Sequence, residues 1–207
     1  MTAVTVGDPL PHHELPSTIG RRWRAGVILL VAADAAFVFS LVFSYFYLRG
    51  LDTEGAWLPD DIHGAAIWVG WLIAAIMVAS AAAYRWGQVG IHAGLESRLG
   101  TGTAIALVLV VVDIAVQVIQ LGTFPFPLHH SAYTSSAYVL AGANLFHLLL
   151  TLFIGLGLWN RSRLGLFSPT NDWQVRMVGI WWTWVALAAV ISAVPTSFIA
   201  APHHPGG

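Results

Sequence analysis

Residues 27–49, VILLVAADAAFVFSLVFSYFYLR, carry one acid, Asp34, and no other charge until the terminal Arg49. At about 1.5 Å of rise per helical residue, this stretch is long enough to cross a hydrocarbon layer of ~30 Å. Its apolar side chains point all round the helix, whereas a helix on a soluble domain confines them to one face. Four more stretches share this character, and the five spans run over about 25–48, 64–86, 101–124, 134–159 and 174–198. The expected fold is therefore an all-α integral membrane protein, one five-helix bundle over 25–200. Residues 1–24 form an N-terminal tail and 201–207 a short C-terminal one.

Orientation follows from the arginines. Arg21, Arg22 and Arg24 precede the first span; Arg85 and Arg98 surround the second connection, and Arg161, Arg163 and Arg176 the fourth. Only Arg49 falls at the opposite end. Short loops rich in Arg stay in the cytoplasm, so the N-terminus is expected inside and the C-terminus outside. The loop after the first span is acidic, with Asp52, Glu54, Asp60 and Asp61, which is consistent but carries little topological weight. The expected location is the inner (plasma) membrane, crossed several times.

Composition removes several classes. Charged residues are 9 % of the chain, hydrophobic ones 57 %, and the formal net charge is −1, so no basic stripe exists for nucleic acid. All basic side chains other than histidine are arginines, and with no cysteine there can be no disulfide, thiolate metal site or cysteine catalysis. Trp23, Trp57, Trp86, Trp159 and Trp173 lie near expected span ends, where amphipathic rings sit at the headgroup level. The alanines around Asp34 and those near 79–83 read as close helix-packing surfaces. The polar first twenty residues have no signal-peptide core, and the first span is expected to be retained. No internal repeat of the kind that builds many transporters is evident.

An ionised Asp at a helix centre costs roughly 2.5–3.5 kcal/mol on insertion scales, so intramembrane polar groups are the place to look for function. The first span holds Asp34. The third holds Asp113, Gln117 and Gln120, whose spacing puts them on one helix face, and the fourth holds Asn144, His147 and Thr151, again on one face. The fifth holds Thr183 among Trp181, Trp182 and Trp184. With alternate spans running in opposite directions, Asp34, Asp113, His147 and Thr183 all fall roughly 14–18 Å from the arginine-rich boundary. A single polar layer at mid-depth is the expectation. It has competing uses, fixing how the helices pack on one hand and handling protons or a lipid headgroup on the other.

Counting ligands tests for a redox centre. His147 is the one histidine deep in a span; His63 sits at a span edge, and His12, His13, His92, His129 and His130 lie in the tail or loops. One deep histidine cannot provide the two axial ligands of a bis-His haem or the imidazole set of a copper site. The His129–His130 and His203–His204 pairs have no neighbouring ligands in sequence. No metal or other cofactor is expected on this chain.

These residues resemble subunit III of the haem–copper oxidases. The stretch 27–49 looks like the opening helix of the five-helix form, with Asp34 standing where the family has a buried Glu. Gln117-Val-Ile-Gln120 is similar to a Gln-x-x-Glu element with Gln120 replacing the acid. Gly142-Ala-Asn144-Leu-Phe-His147 resembles Gly-x-His-x-x-His with Asn144 replacing the first His. In the last helix, Trp182 and Val185 match a Tyr-Trp-His-Phe-Val-Asp pattern, while Thr183 and Ala186 replace its His and Asp.

The resemblance, which covers about 25–200, implies a non-catalytic accessory subunit. It would pack against catalytic subunit I and other subunits, stabilise the former and support its proton uptake. Haem and copper are then expected in the partners. Membrane lipids are the other expected contact, and the family holds phospholipid between the first two helices of its seven-helix form and the rest. Arg49 and Trp182 are assigned as contacts to lipid or partner. The resemblance also makes Asp113 a candidate replacement for the acids lost elsewhere. The alternative is a small proton-coupled transporter using Asp34, Asp113 and His147 as a relay. A haem-bearing anchor is disfavoured by the ligand count.

Overall fold

The computed structural model describes residues 16–52 and 56–199 of the chain. The C-terminal tail, His12, His13, His203, His204 and Glu54 lie outside the described residues. Five α-helices follow one another: α1 (Pro16–Gly50), α2 (Ile67–His92), α3 (Glu96–Gly122), α4 (Ala132–Arg163) and α5 (Trp173–Ala193). A 3-10 turn, Pro195–Ser197, closes the described chain, which contains no strand among these residues. All five helices are long and apolar enough to cross a bilayer, and the chain is a multi-pass membrane protein.

The helices outrun the hydropathic spans at the arginine-rich end. α1 starts at Pro16 rather than near 25, so Arg21, Arg22 and Arg24 ride on the helix and not on a tail. α2 continues to His92 and α3 begins at Glu96, leaving a tight connection. That turn needs Gly94, at φ +73°, where a side chain would be strained; Leu95 N–H donates back to Gly90 O at 2.9 Å. At the other end α4 is started by a reciprocal cap. Ser131 Oγ accepts from Thr134 N–H at 3.2 Å, and Thr134 Oγ1 accepts from Ser131 N–H at 2.9 Å. Pro195 ends α5 near the expected boundary.

α5 lies at the centre. It packs against α1, α2 and α4, while α2, α3, α4 and α1 form an arc in that order, each against the next. Among the described residues the backbones of α1 and α2 do not pack on each other, so the arc is open between them. In α5 56 % of the most apolar window is buried, against 6 % in α1, which identifies α1 as the outlying helix. The alanines around Asp34 therefore mostly face outward, and only Ala35 packs on the core. Those of α2 divide similarly, with Ala81 and Ala83 against the core.

Two cores fill the bundle. One, running through the bundle on α2, α3, α4 and α5, contains Met77, Tyr84, Val110, Leu148 and Trp182. The other gathers aromatic rings at the end opposite the arginines, where Tyr45, Trp57, Phe126 and Tyr133 meet edge to face. Trp57 was expected at the lipid interface, yet it is 2 % exposed and donates to Ile199 O at 2.8 Å. It pins the chain after α5. The arginine-rich end keeps the interfacial pattern. Arg98 lies over Trp86 (4.3 Å), Arg163 over Trp159 (4.9 Å), and Trp23 stacks on Trp173 (6.0 Å).

Candidate functional site

The mid-bundle polar layer divides into two hydrogen-bonded groups and one isolated acid. In the first group, α1 turns Asp34 toward α4 and α5. His147 Nε2 stands 3.0 Å from Asp34 Oδ1 and 2.9 Å from Oδ2, and Trp184 Nε1–H donates to Oδ2 at 2.6 Å. The His147 side chain is 3 % exposed and that of Asp34 16 %, so the pair is shielded mainly from the imidazole side. Facing a carboxylate assigns Nε2 as a protonated ring nitrogen, the donor of this contact. One turn along, Thr151 Oγ1 accepts from Trp181 Nε1–H at 3.0 Å, and the Trp181 ring lies 6.2 Å from that of His147. Three helices are thus tied at one depth by one carboxylate.

The second group joins α3 to α4. Asn144 Nδ2 donates to Gln117 Oε1 at 2.8 Å, and Gln117 Nε2 donates to Gln120 Oε1 at 2.7 Å. Asn144 and His147 are on one face of α4, so this ladder starts a turn from the Asp34 group. Gln117, Gln120 and Asn144 also line a cavity of about 50 Å³ with Tyr45 and Thr196, which is room for water.

Asp113 and Thr183 stand apart. Asp113 is fully buried, and neither carboxyl oxygen has a hydrogen-bond partner among the described residues. It is one turn before Gln117 on α3 and belongs to neither group. Thr183 is exposed on α5 and returns its hydroxyl to Gly179 O at 2.8 Å. Depth placed these residues in register; the rotation of each helix decides which of them meet.

Trp182 is a correction. It was assigned to lipid or partner, yet it is 1 % exposed, its Nε1–H donates to Ser80 Oγ at 2.9 Å, and its ring stacks on Tyr84 at 4.7 Å. A residue enclosed by α2 and α5 is presented to neither. Arg49 lies 6.0 Å over the Phe198 ring, at the end where the chain closes. Reasoning from sequence missed Trp184, Trp181 and Ser80. Their signal was present in the buried donors of a tryptophan-rich helix facing an acid, since a buried indole N–H needs an acceptor.

For haem or copper the residues present do not fit: His147 has its Nε2 committed to Asp34, and no second histidine faces it among the described residues. Outside the membrane-spanning segments, His130 comes within 3.1 Å of Asp61, a carboxylate its sequence neighbours do not include, but no third ligand joins them among the described residues.

The sequence matches the family described as cytochrome c oxidase subunit III over residues 5–190. It is 25 % identical over 183 residues to cytochrome c oxidase subunit 3 of Prototheca wickerhamii, covering 83 % of this chain and 69 % of that one. With the Marchantia polymorpha protein of the same name it shares 23 % identity, over 84 % of this chain and 66 % of the relative. With that of Arabidopsis thaliana it shares 27 %, over 69 % and 55 %. The matched part is thus between about half and seven-tenths of each relative's length. Because the family match runs from before α1 into the last turn of α5, the chain belongs to the cytochrome c oxidase subunit III family.

Proposed function

We propose that the chain is a non-catalytic accessory subunit of a respiratory haem–copper oxidase, set in the inner membrane with its arginine-rich end in the cytoplasm. It would stand against catalytic subunit I, which with the other subunits carries the haem and copper, stabilise that subunit and support its proton uptake. The observation that carries this reading is the Asp34–His147–Trp184 group, a carboxylate and an imidazole held at mid-depth in a chain of the subunit III family. Such a pair can hold and pass a proton, since the second imidazole nitrogen can take one as Nε2 releases one. The names of the relatives support the oxidase partnership.

The transporter reading has less support. Its relay would need Asp113, which makes no hydrogen bond to Asp34 or His147. The test is Asp34→Asn in the assembled oxidase. The account expects unchanged haem content and subunit composition, with steady-state proton uptake reduced several-fold. Uptake and turnover equal to the parent's would reject the proton role and leave Asp34 as a packing residue.

A further inference from the structure

The open side of the arc, between α1 and α2, is a cleft of about 1070 Å³ floored by α5. Four arginines from three helices line it: Arg21 and Arg24 of α1, Arg85 of α2 and Arg176 of α5. Among the described residues, Arg21 and Arg24 have no hydrogen-bond or ion-pair partner, and Arg85 has only the Gln88 amide, Nη1 to Oε1 at 2.9 Å. Arg176 is paired with Asp172 at 3.0 Å. Four guanidinium groups therefore line this space, one of them ion-paired to a carboxylate among the described residues. Positive-inside sorting explains arginines at this end but not their convergence. Arg98 and Arg163, at the same end, lie over their own tryptophan rings.

The walls set arginines among apolar side chains. On α5, Met177 and Ile180 follow Arg176, then Thr183, which is seven residues past Arg176 and so about 10 Å deeper; on α2, which runs toward the arginine-rich end, Val89 stands one turn nearer that end than Arg85. Gly179 lets the Gln88 side chain lie against α5, because a Cβ there would stand 2.8 Å from Gln88 Oε1. A small anion would occupy only the rim of a space larger than the roughly 300–1,000 Å³ of ordinary ligand pockets. A slot between two spanning helices that carries both guanidinium groups and apolar side chains matches a molecule with an anionic head and a hydrocarbon tail.

We propose that this cleft is a binding site for one anionic phospholipid, its phosphate held by Arg21, Arg24 and Arg85 and an acyl chain lying between α1 and α2 over α5. The site differs from the one implied by family resemblance, which lies between the first two helices of a seven-helix form and the rest. It rests on the cleft geometry alone and stands or falls separately from the oxidase role. Bound there, the lipid would fill the one seam of the bundle where neighbouring helices do not pack.

The full chain, extracted in mild detergent, would be titrated with phosphatidylglycerol, with phosphatidylcholine of the same acyl chains, and with inorganic phosphate, and read by native mass spectrometry. Retention of one phosphatidylglycerol in preference to phosphatidylcholine is expected. Each arginine near an anionic headgroup contributes about fivefold, so Arg24→Gln with Arg85→Gln should weaken that lipid roughly 30-fold. The control pair Arg161→Gln with Arg163→Gln removes equal charge at the same end and should leave the preference intact. Val89→Trp keeps every arginine and should still lower lipid occupancy by filling the slot; it covers the case in which the double variant fails to fold. Equal retention of both lipids, equal loss in the control pair, or displacement of the lipid by millimolar phosphate would each overturn the proposal, the last in favour of a small-anion site.

Discussion

Asp34 is the residue on which the bundle's interior turns. Its carboxylate takes donors from His147 and Trp184, so removing either donor leaves a polar group without its partner in a medium that cannot replace it. Trp184→Phe keeps the ring and loses the N–H, and should lower unfolding stability in detergent by about 1 kcal/mol, the scale of interhelical hydrogen bonds in membranes. Asp113→Leu should behave in the opposite way. That carboxyl makes no hydrogen bond among the described residues, so a similar apolar side chain is expected to leave stability unchanged or raise it. A loss above about 1 kcal/mol would mean that Asp113 has a partner in the assembled protein. That Asp34 and His147 share one depth was legible in sequence from their distance to the span ends. The separation of Asp113 and Thr183 was not, since it depends on helix rotation, which packing against neighbours decides.

Among elements, the α2–α3 hairpin is the most closely packed. A Cβ on Gly102 would lie 2.7 Å from Gly87 Cα and 2.9 Å from Ala83 O, so the two backbones meet without side chains between them. Gly102→Leu should force the helices apart and cost about 1–3 kcal/mol or more, seen as a lowered midpoint in thermal aggregation or detergent unfolding. Gly122→Ala, with open space at its Cβ, is the matched control and should be neutral. The existence of all five helices was readable from run length, because an apolar run of more than about 20 residues suits a spanning helix, which satisfies its own backbone in lipid, and is about twice what a barrel strand needs. Their ends were not. α1 and α3 extend beyond the apolar runs on arginine-bearing turns, whose polar residues helix formation tolerates as readily as loops do. The outward direction of the alanines near Asp34 was equally hidden, since a stripe of small residues does not say which neighbour it meets, or whether it meets one.

For the whole molecule, orientation and partnership are the claims that reach beyond the chain. A cysteine-free sequence makes orientation simple to measure, with one introduced thiol reporting its own side. Ser97→Cys, at the arginine-rich end, should resist a membrane-impermeant maleimide in intact cells, whereas Leu128→Cys at the opposite end should react; the reverse pattern would invert the topology. Partnership is the central claim. Its most direct test is to purify the tagged chain from its native membrane in mild detergent, identify the co-purifying proteins, and record the reduced-minus-oxidised spectrum. The account predicts a stoichiometric, multi-span, haem-bearing protein with oxidase activity; recovery of the chain alone, free of any haem band, would contradict it.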